Sequence, residues 1–357
     1  MLAQAGLTAV LVERGRFPRD KPCGEGLMPA GARILAEIGL ALEGFPTLAG
    51  VRYRVPGVGQ ADGAFLGSDA GRGTRRLRLD ERLVALACAT DSVEVITRCA
   101  CTGVEAGPDM VTVRTSEGDL RVGRLVAADG LRSSVAKWLG WYRPPSGDRY
   151  AIVGHVQAVG HAYDRVVVTL LPGRELYLAP TGPDEVLLAV LGPKAGLRRE
   201  GEPVEQAYRR HLREGHEEHA ACDHSSLRGA GPFWTRPSRV AGGRVFLIGD
   251  AAGFLDPLTG DGMTAGLVAA KRLAALLASA VSDPGRHYAR WESRQWRRRS
   301  FMARLALALT GHAGLARRGL RGLSRRPAAL SRLLEVNEGS RTLSSVSPRD
   351  WAALLGV

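Results

Sequence analysis

Residues 249–263 read Gly-Asp-Ala-Ala-Gly-Phe-Leu-Asp-Pro-Leu-Thr-Gly-Asp-Gly-Met, with three aspartates spaced among four glycines. Glycine lets a flat ligand approach the backbone closely, and an aspartate accepts hydrogen bonds from hydroxyl groups. The apolar run Val245–Ile248 precedes the segment, and the Ala- and Leu-rich stretch Thr264–Ala280 follows it. A strand, a Gly-rich loop and a helix in that order make an anion- and cofactor-binding corner, because the N–H groups that open a helix have no partners within it. Gly249, Asp250, Asp256, Pro257, Gly260, Asp261, Gly262 and Met263 are therefore the candidate binding residues.

Other residues could extend that corner. Glu13 ends the apolar run Leu7–Val12 and is followed by Arg14-Gly15. An acidic residue at such a strand end bonds ribose hydroxyls in dinucleotide folds, although a strand-tip Glu also reads as an ordinary surface residue. Arg76-Leu-Arg-Leu-Asp80 leads into a helix expected over Leu79–Ala89, which Asp80 could cap. Asp129-Gly130 ends a strand-like run and continues into Arg132-Ser133. In Lys21–Leu27, Cys23 stands between Pro and Gly, an unusual place for a core thiol. His211, His216, His219, Cys222 and His224 cluster, but their spacing matches no closed four-ligand zinc site and reads better as a solvated helix end. Cys99 and Cys101 would share one strand face as buried thiols.

Gly249–Met263 closely resembles the ribityl- and flavin-contacting motif of FAD-dependent oxidoreductases of the aromatic-hydroxylase monooxygenase and geranylgeranyl-reductase-like family. The resemblance implies that Asp250 hydrogen-bonds the ribityl chain and that Asp256-Pro257 begins the turn under the flavin. It implies that Gly260-Asp261-Gly262-Met263 sets N–H groups near the pyrimidine edge of the ring, where reduced flavin carries negative charge. It extends to Glu13, with Arg14 beside it, at the ribose. Arg76 would lie near the FAD, with Arg75 and Arg78 as competitors, and Asp129-Gly130 near the pyrophosphate. Lys21–Leu27 resembles the Pro-Cys-Gly loop of the geranylgeranyl-reductase-like proteins, which puts Cys23 beside the flavin as a candidate catalytic thiol. The family's Gly-x-Gly-x-x-Gly turn, about 20 residues before such a Glu, is not in this sequence. Met1–Gly6 look like the tail of the helix that follows that turn. The expectation is an FAD-binding unit that is N-terminally incomplete here, through a misplaced start or a truncated sequence rather than a true loss.

The elements that must hold these residues follow from periodicity. Pro29–Ile38 is expected to be helical, with Pro in its first turn and Gly39 at its end. Val93–Thr97, Thr102–Ala106 and Met110–Thr115 read as short strands, and Gly50–Leu66 as turn-rich strands outside the main sheet. Ala151–Val159, Val166–Leu171, Glu175–Ala179 and Val186–Leu191 read as an antiparallel sheet, and Val204–Arg213 as an amphipathic helix. From Arg286 onward the pattern is helical, with breaks expected at Gly314, Gly319 and Pro327. The fold class is therefore α/β: a discontinuous Rossmann-like FAD/NAD(P)-binding domain with an inserted antiparallel β-sheet substrate domain and C-terminal helices. The expected boundaries are 1–48, 75–148 and 235–285 for the first unit, 49–74 and 149–234 for the second, and 286–357 for the basic helical end.

Composition bounds the rest. A chain of 357 residues with 45% hydrophobic content has material for two units with sizeable cores. Five scattered cysteines argue against a disulfide framework and for a reducing compartment. No basic segment followed by an apolar run opens the sequence, so no secretory signal is expected, and Phe301–Ala316 is broken by Arg304 and His312. The net charge of +13 is concentrated: residues 286–332 hold thirteen Arg against one Glu. That pattern argues against a diffuse nucleic-acid binder and leaves a basic C-terminal face, which reads as a solvated cap or as a peripheral membrane contact from the cytoplasmic side.

With the resemblance, these features imply an FAD-dependent oxidoreductase that takes electrons from NAD(P)H. The leading expectation is a monooxygenase hydroxylating a lipophilic or polyketide-like molecule, with the β-rich insert 150–192 roofing the pocket. The alternative is a geranylgeranyl-reductase-like enzyme reducing isoprenoid C=C bonds, and one of another class is a flavin-free basic membrane or nucleic-acid binding protein. A halogenase is disfavoured, because none of the six Trp residues forms a Trp-x-Trp-x-Ile-Pro pattern.

Overall fold

The apolar, β-branched run near the N-terminus forms the strand Ala9–Glu13. It pairs in parallel with Val93–Thr97, from Ala9 opposite Val93 to Glu13 opposite Thr97. The computed structural model that shows this describes residues 1–356 except 67–69, 159 and 161; the parts of the expected spans at those positions lie outside the described residues. A second parallel pair joins Leu125–Ala127 to Val245–Leu247, whose three residues are all buried. Cys101–Ala106, Val111–Thr115 and Gly118–Val122 form an antiparallel meander beside them. The helices Pro29–Glu37, Arg76–Cys88 and Gly262–Ala278 complete this α/β unit. The second of these starts three residues before its expected first residue, so Asp80 lies inside the helix and does not cap it.

The inserted unit is a seven-stranded sheet. Its strand order is Arg228–Ala230, Arg149–Gln157, Glu185–Pro193, Arg174–Pro180, Arg165–Leu171, Gly50–Val55 and Gly59–Ala64. Pairing is antiparallel except between Arg165–Leu171 and Gly50–Val55, which run parallel. The hairpin 50–64 thus lies outside the α/β sheets, as its sequence implies, and belongs to the substrate-side sheet. Side chains alternate across this sheet. Val166, Val168, Tyr177 and Ala179 face a layer that includes Leu330 and Leu334. Val167, Leu176 and Leu178 face Tyr208 and Leu212 of the helix Val204–Gly215. Both faces are covered, which is why the four central strands are buried almost without interruption.

The C-terminal helices are Pro284–Gly311, Ala313–Arg325, Pro327–Glu338 and Pro348–Leu355. The breaks fall at His312 and Arg326. Gly319, expected as a break, instead lies inside a continuous helix. The reason is packing: a Cβ at Gly319 would lie 2.7 Å from the Leu354 carbonyl oxygen, and one at Gly322 2.0 Å from that of Ala353. Two helices cross there at a separation that only glycine allows. Gly322→Val should accordingly lower stability by about 1–3 kcal/mol, read as a lower thermal midpoint; an unchanged midpoint would show that the crossing has room to spare. Among the described residues no helix is long and apolar enough to cross a membrane.

Candidate functional site

The loop between the buried strand Val245–Leu247 and the helix Gly262–Ala278 is built from two short 3-10 turns, Gly249–Ala252 and Pro257–Thr259. Gly249 and Gly260 have φ of +58° and +65°, left-handed conformations that favour glycine. The N–H groups of Gly262, Met263 and Thr264 have no hydrogen-bond partner among the described residues; the first helical bond is donated by Ala265 to the Asp261 carbonyl. They present a partial positive charge at the head of a seventeen-residue helix.

The three aspartates of the loop differ in what they do. Asp256 is buried; it accepts from the Leu258 N–H at 3.1 Å and from Arg149 Nε at 2.7 Å. Arg149 also donates to Glu175 at 2.6 Å, so it ties the loop to the seven-stranded sheet. Burial pushes the Glu175 carboxyl above its ordinary value, with Arg149 opposing. Asp261 is buried too, 2.7 Å from both Arg299 Nε and Thr259 Oγ1. Burial alone would raise its carboxyl, but Arg299 and Thr259 hold it below the usual carboxylate range. The Asp250 carboxylate is half-buried and takes no hydrogen bond or ion pair among the described residues. Asp250 is thus the loop carboxylate left available to a ligand.

The remaining predicted residues have the following partners. Glu13 sits at its strand tip, where it accepts from the Gly15 N–H at 2.7 Å and from Arg19 at 3.1 Å; Arg14 is exposed. Arg76 opens its helix and pairs with Asp80 through two contacts of 2.8 Å, with the Cys23 sulfur also beside its guanidinium. Arg75, the competitor, is committed elsewhere, to Asp20 at 2.9 Å and Glu25 at 3.4 Å. Asp129 accepts from the Val135 N–H at 3.1 Å, and Gly130 has φ of +88°. Cys23 is half-buried, 3.5 Å from the Glu25 N–H. Met263 packs against the cluster of Leu27, Ala32 and Leu35. The histidines are not a solvated helix end: His211, His216 and His219 are buried, with His211 2.9 Å from the Leu197 carbonyl and His219 2.8 Å from Tyr163. No group among the described residues could hold a metal ion.

Two cavities flank the loop. One, about 560 Å³, has charged residues of both signs in its lining and lies beside Gly249, Asp250, Gly262, Arg298 and Arg299. The other, about 380 Å³, lies between the loop and the seven-stranded sheet. Its walls include Gly26, Tyr53, Phe65, Val168, Tyr177, Leu258, Gly260 and Leu334, with no charged side chain. The sheet of residues 149–193 therefore roofs this cavity, and the hairpin 50–64 and the third C-terminal helix close its sides. Tyr177 stands at the junction: its hydroxyl oxygen is 2.6 Å from where a Cβ at Gly26 would lie and 4.0 Å from one at Gly260.

Sequence reasoning missed several of these residues. Tyr177 and Tyr53 carry no motif; their signal is only that they alternate with Leu176, Leu178 and neighbouring apolar residues. It also missed Glu25, fully buried with a φ of +56° and 2.8 Å from His155 Nε2. Glu25 also accepts from the Arg76 N–H at 2.8 Å, so it pins the Cys23 loop to the sheet and to the Arg76 helix at once.

These features fit FAD. The free Asp250 carboxylate suits a ribityl hydroxyl, and the open space where Cβ atoms would stand at Gly249 admits a ligand against the backbone. The three helix-opening N–H groups suit an electron-rich ring edge. The purified protein should be yellow and release FAD on denaturation; protein that stays colourless after FAD is added would overturn this.

Comparison with known proteins agrees. Residues 78–304 match the family model described as an FAD binding domain. A menaquinone reductase of Mycobacterium tuberculosis is 28% identical, over 98% of this chain and 89% of its own length. A digeranylgeranylglycerophospholipid reductase of Methanothermobacter thermautotrophicus is 26% identical, over 57% of this chain and 53% of its own. Among solved structures, a flavoprotein/dehydrogenase from Cytophaga hutchinsonii superposes with a TM-score of 0.84 at 17% identity, covering 99% of this chain and 92% of that one.

Proposed function

Because this chain belongs to the FAD-binding domain family and is an FAD-dependent oxidoreductase, we propose that it reduces an unsaturated isoprenoid lipid, a prenyl quinone of the menaquinone type. The observation that carries this reading is the uncharged, apolar-walled cleft that meets the Gly-rich loop at Gly260. Such walls bind a hydrocarbon chain by burial and offer nothing to a charged substrate. The two curated relatives described above are both reductases of lipids, and this favours reduction over hydroxylation. NAD(P)H as the electron donor is part of the proposal, supported by the family resemblance.

Reduction of a C=C bond adds a hydride to one carbon and a proton to the other. FAD, when bound, supplies the hydride chemistry. The chain supplies position and the proton. Phe65, Val168 and Leu334 hold the substrate and exclude water. Tyr177 Oη carries a proton at the loop end of the cavity, and burial raises the phenol far above its ordinary value, so it stays protonated until a stronger base forms beside it. Tyr53 is half-buried; burial of its phenol pushes it up to about 12, and it remains a neutral wall.

The test is anaerobic. FAD-loaded protein, NADPH and a menaquinone should yield, with no oxygen present, a product whose two added hydrogens sit on the side chain and remain after the quinone ring is reoxidised. A product that carries an added oxygen atom and forms only in air would replace this reading with hydroxylation.

A further inference from the structure

Residues 293–334 contain eleven arginines and no aspartate, glutamate or lysine. Some of these charges are used internally: Arg299 pairs with Asp261, and Arg326 and Arg332 pair with Asp350. Arg317, Arg318, Arg321 and Arg325 are exposed along the helix Ala313–Arg325 and make no ion pair among the described residues. Arg317, Arg321 and Arg325 follow one another at four-residue spacing, so they form a single row in which like charges repel. Such a row costs stability unless an anionic partner neutralises it.

An apolar ridge adjoins the helix that carries the row. Phe301 is 45% exposed and Leu355 52% exposed. The Phe301 ring packs edge-on against Trp351 with centroids 6.2 Å apart, and Leu355 lies one helical turn beyond Trp351. The end of that helix presses on the arginine helix: a Cβ at Gly356 would lie 2.5 Å from the Arg318 carbonyl oxygen. The exposed apolar side chains and the helix that carries the arginines thus meet at one corner.

We propose that this corner docks on the surface of an anionic phospholipid bilayer, with the arginines at the phosphates and Phe301 and Leu355 entering the acyl boundary. Nucleic acid would satisfy the charge alone; it gives exposed Phe and Leu side chains no apolar medium to enter. The inference rests on charge and exposure, not on the proposed reaction, and its test reads binding without turnover.

FAD-loaded protein is floated with vesicles of phosphatidylcholine alone and with vesicles containing phosphatidylglycerol. Binding should require the anionic lipid and weaken as salt is raised. The charge reversal R317E/R318E/R321E/R325E should cut the bound fraction at least about tenfold, with FAD content unchanged as the sign of folding. If that variant fails to fold, the milder R321Q/R325Q should still weaken binding, and F301S/L355S should weaken the portion that survives high salt. Equal binding to neutral vesicles, full binding by folded charge variants, or capture of duplex DNA with no binding to anionic vesicles would each overturn the proposal.

Discussion

Replacing Arg149 by Met should lower the folding stability by about 3–5 kcal/mol and release most of the bound FAD. Arg149 is the shared partner of two carboxylates, Glu175 and Asp256, which are 3% and 0% exposed. Removing one partner of a buried ion pair leaves an uncompensated buried charge, and that loss is larger than the net worth of the pair itself. Here one substitution strands two carboxylates from different units, one on the seven-stranded sheet and one on the Gly-rich loop. Loss of the tie should therefore be felt at the cofactor as well as in the melt. The sign of the pH dependence is also set. Glu175 already titrates above its ordinary 4.5 because of burial, with Arg149 opposing, so without Arg149 its folded value rises further. A carboxyl whose folded value is raised favours folding when protonated, and that contribution is lost as pH rises from 4.5 through the folded value. The deficit of the variant should therefore be greatest at neutral pH and shrink toward pH 4.5. Denaturant titrations at pH 7.5 and pH 5 measure both; a midpoint equal to that of the unchanged protein at pH 7.5 would refute the anchoring role.

The contrast among Asp250, Asp256 and Asp261 also marks how far the sequence could be read. All three occur in one Gly-rich loop, and their spacing was enough to single it out as a candidate cofactor-binding corner. Spacing does not reveal burial. Arg149 lies 107 residues from Asp256 and Arg299 lies 38 from Asp261, so only the folded chain shows which carboxylates are neutralised and which one is free. Local periodicity did better with single elements: Val93–Thr97 and Val204–Gly215 were legible because alternation and helical spacing are properties of short windows. Strand partners were not legible. The parallel pairing of Gly50–Val55 with Arg165–Leu171 joins segments more than a hundred residues apart, and it carries one wall of the apolar cavity. Gly319 was misread for the same reason. Glycine disfavours a helix by its own propensity, but a crossing helix far along the chain makes it necessary.

Tyr177→Phe should leave the protein folded, yellow and able to bind its lipid, yet slow product formation by about 10²–10⁴-fold. The substitution removes one hydroxyl oxygen and keeps the ring, so the cavity wall and its apolar area survive. The lost group is the hydroxyl at the loop end of a cavity whose walls carry no charged side chain. Its position is fixed from two sides, by Gly26 and by Gly260, each of which has no side chain to displace it. Burial raises the phenol well above its ordinary range, which suits an acid that must not ionise in the resting state and must give up its proton only to a carbanion-like carbon. Thr259 and Tyr53 also line the cavity, but the Thr259 hydroxyl is held by the Asp256 carbonyl and the Asp261 carboxylate, so the residual rate should be small. The diagnostic comparison is the split between parameters: a proton donor lowers kcat with KM nearly unchanged, whereas a ring that merely shapes the cavity would raise KM. Tyr177→Ala separates the two further, since it removes the wall as well and should raise KM in addition to lowering kcat. A Tyr177→Phe enzyme with unchanged kcat would assign the proton to another group and reduce Tyr177 to packing.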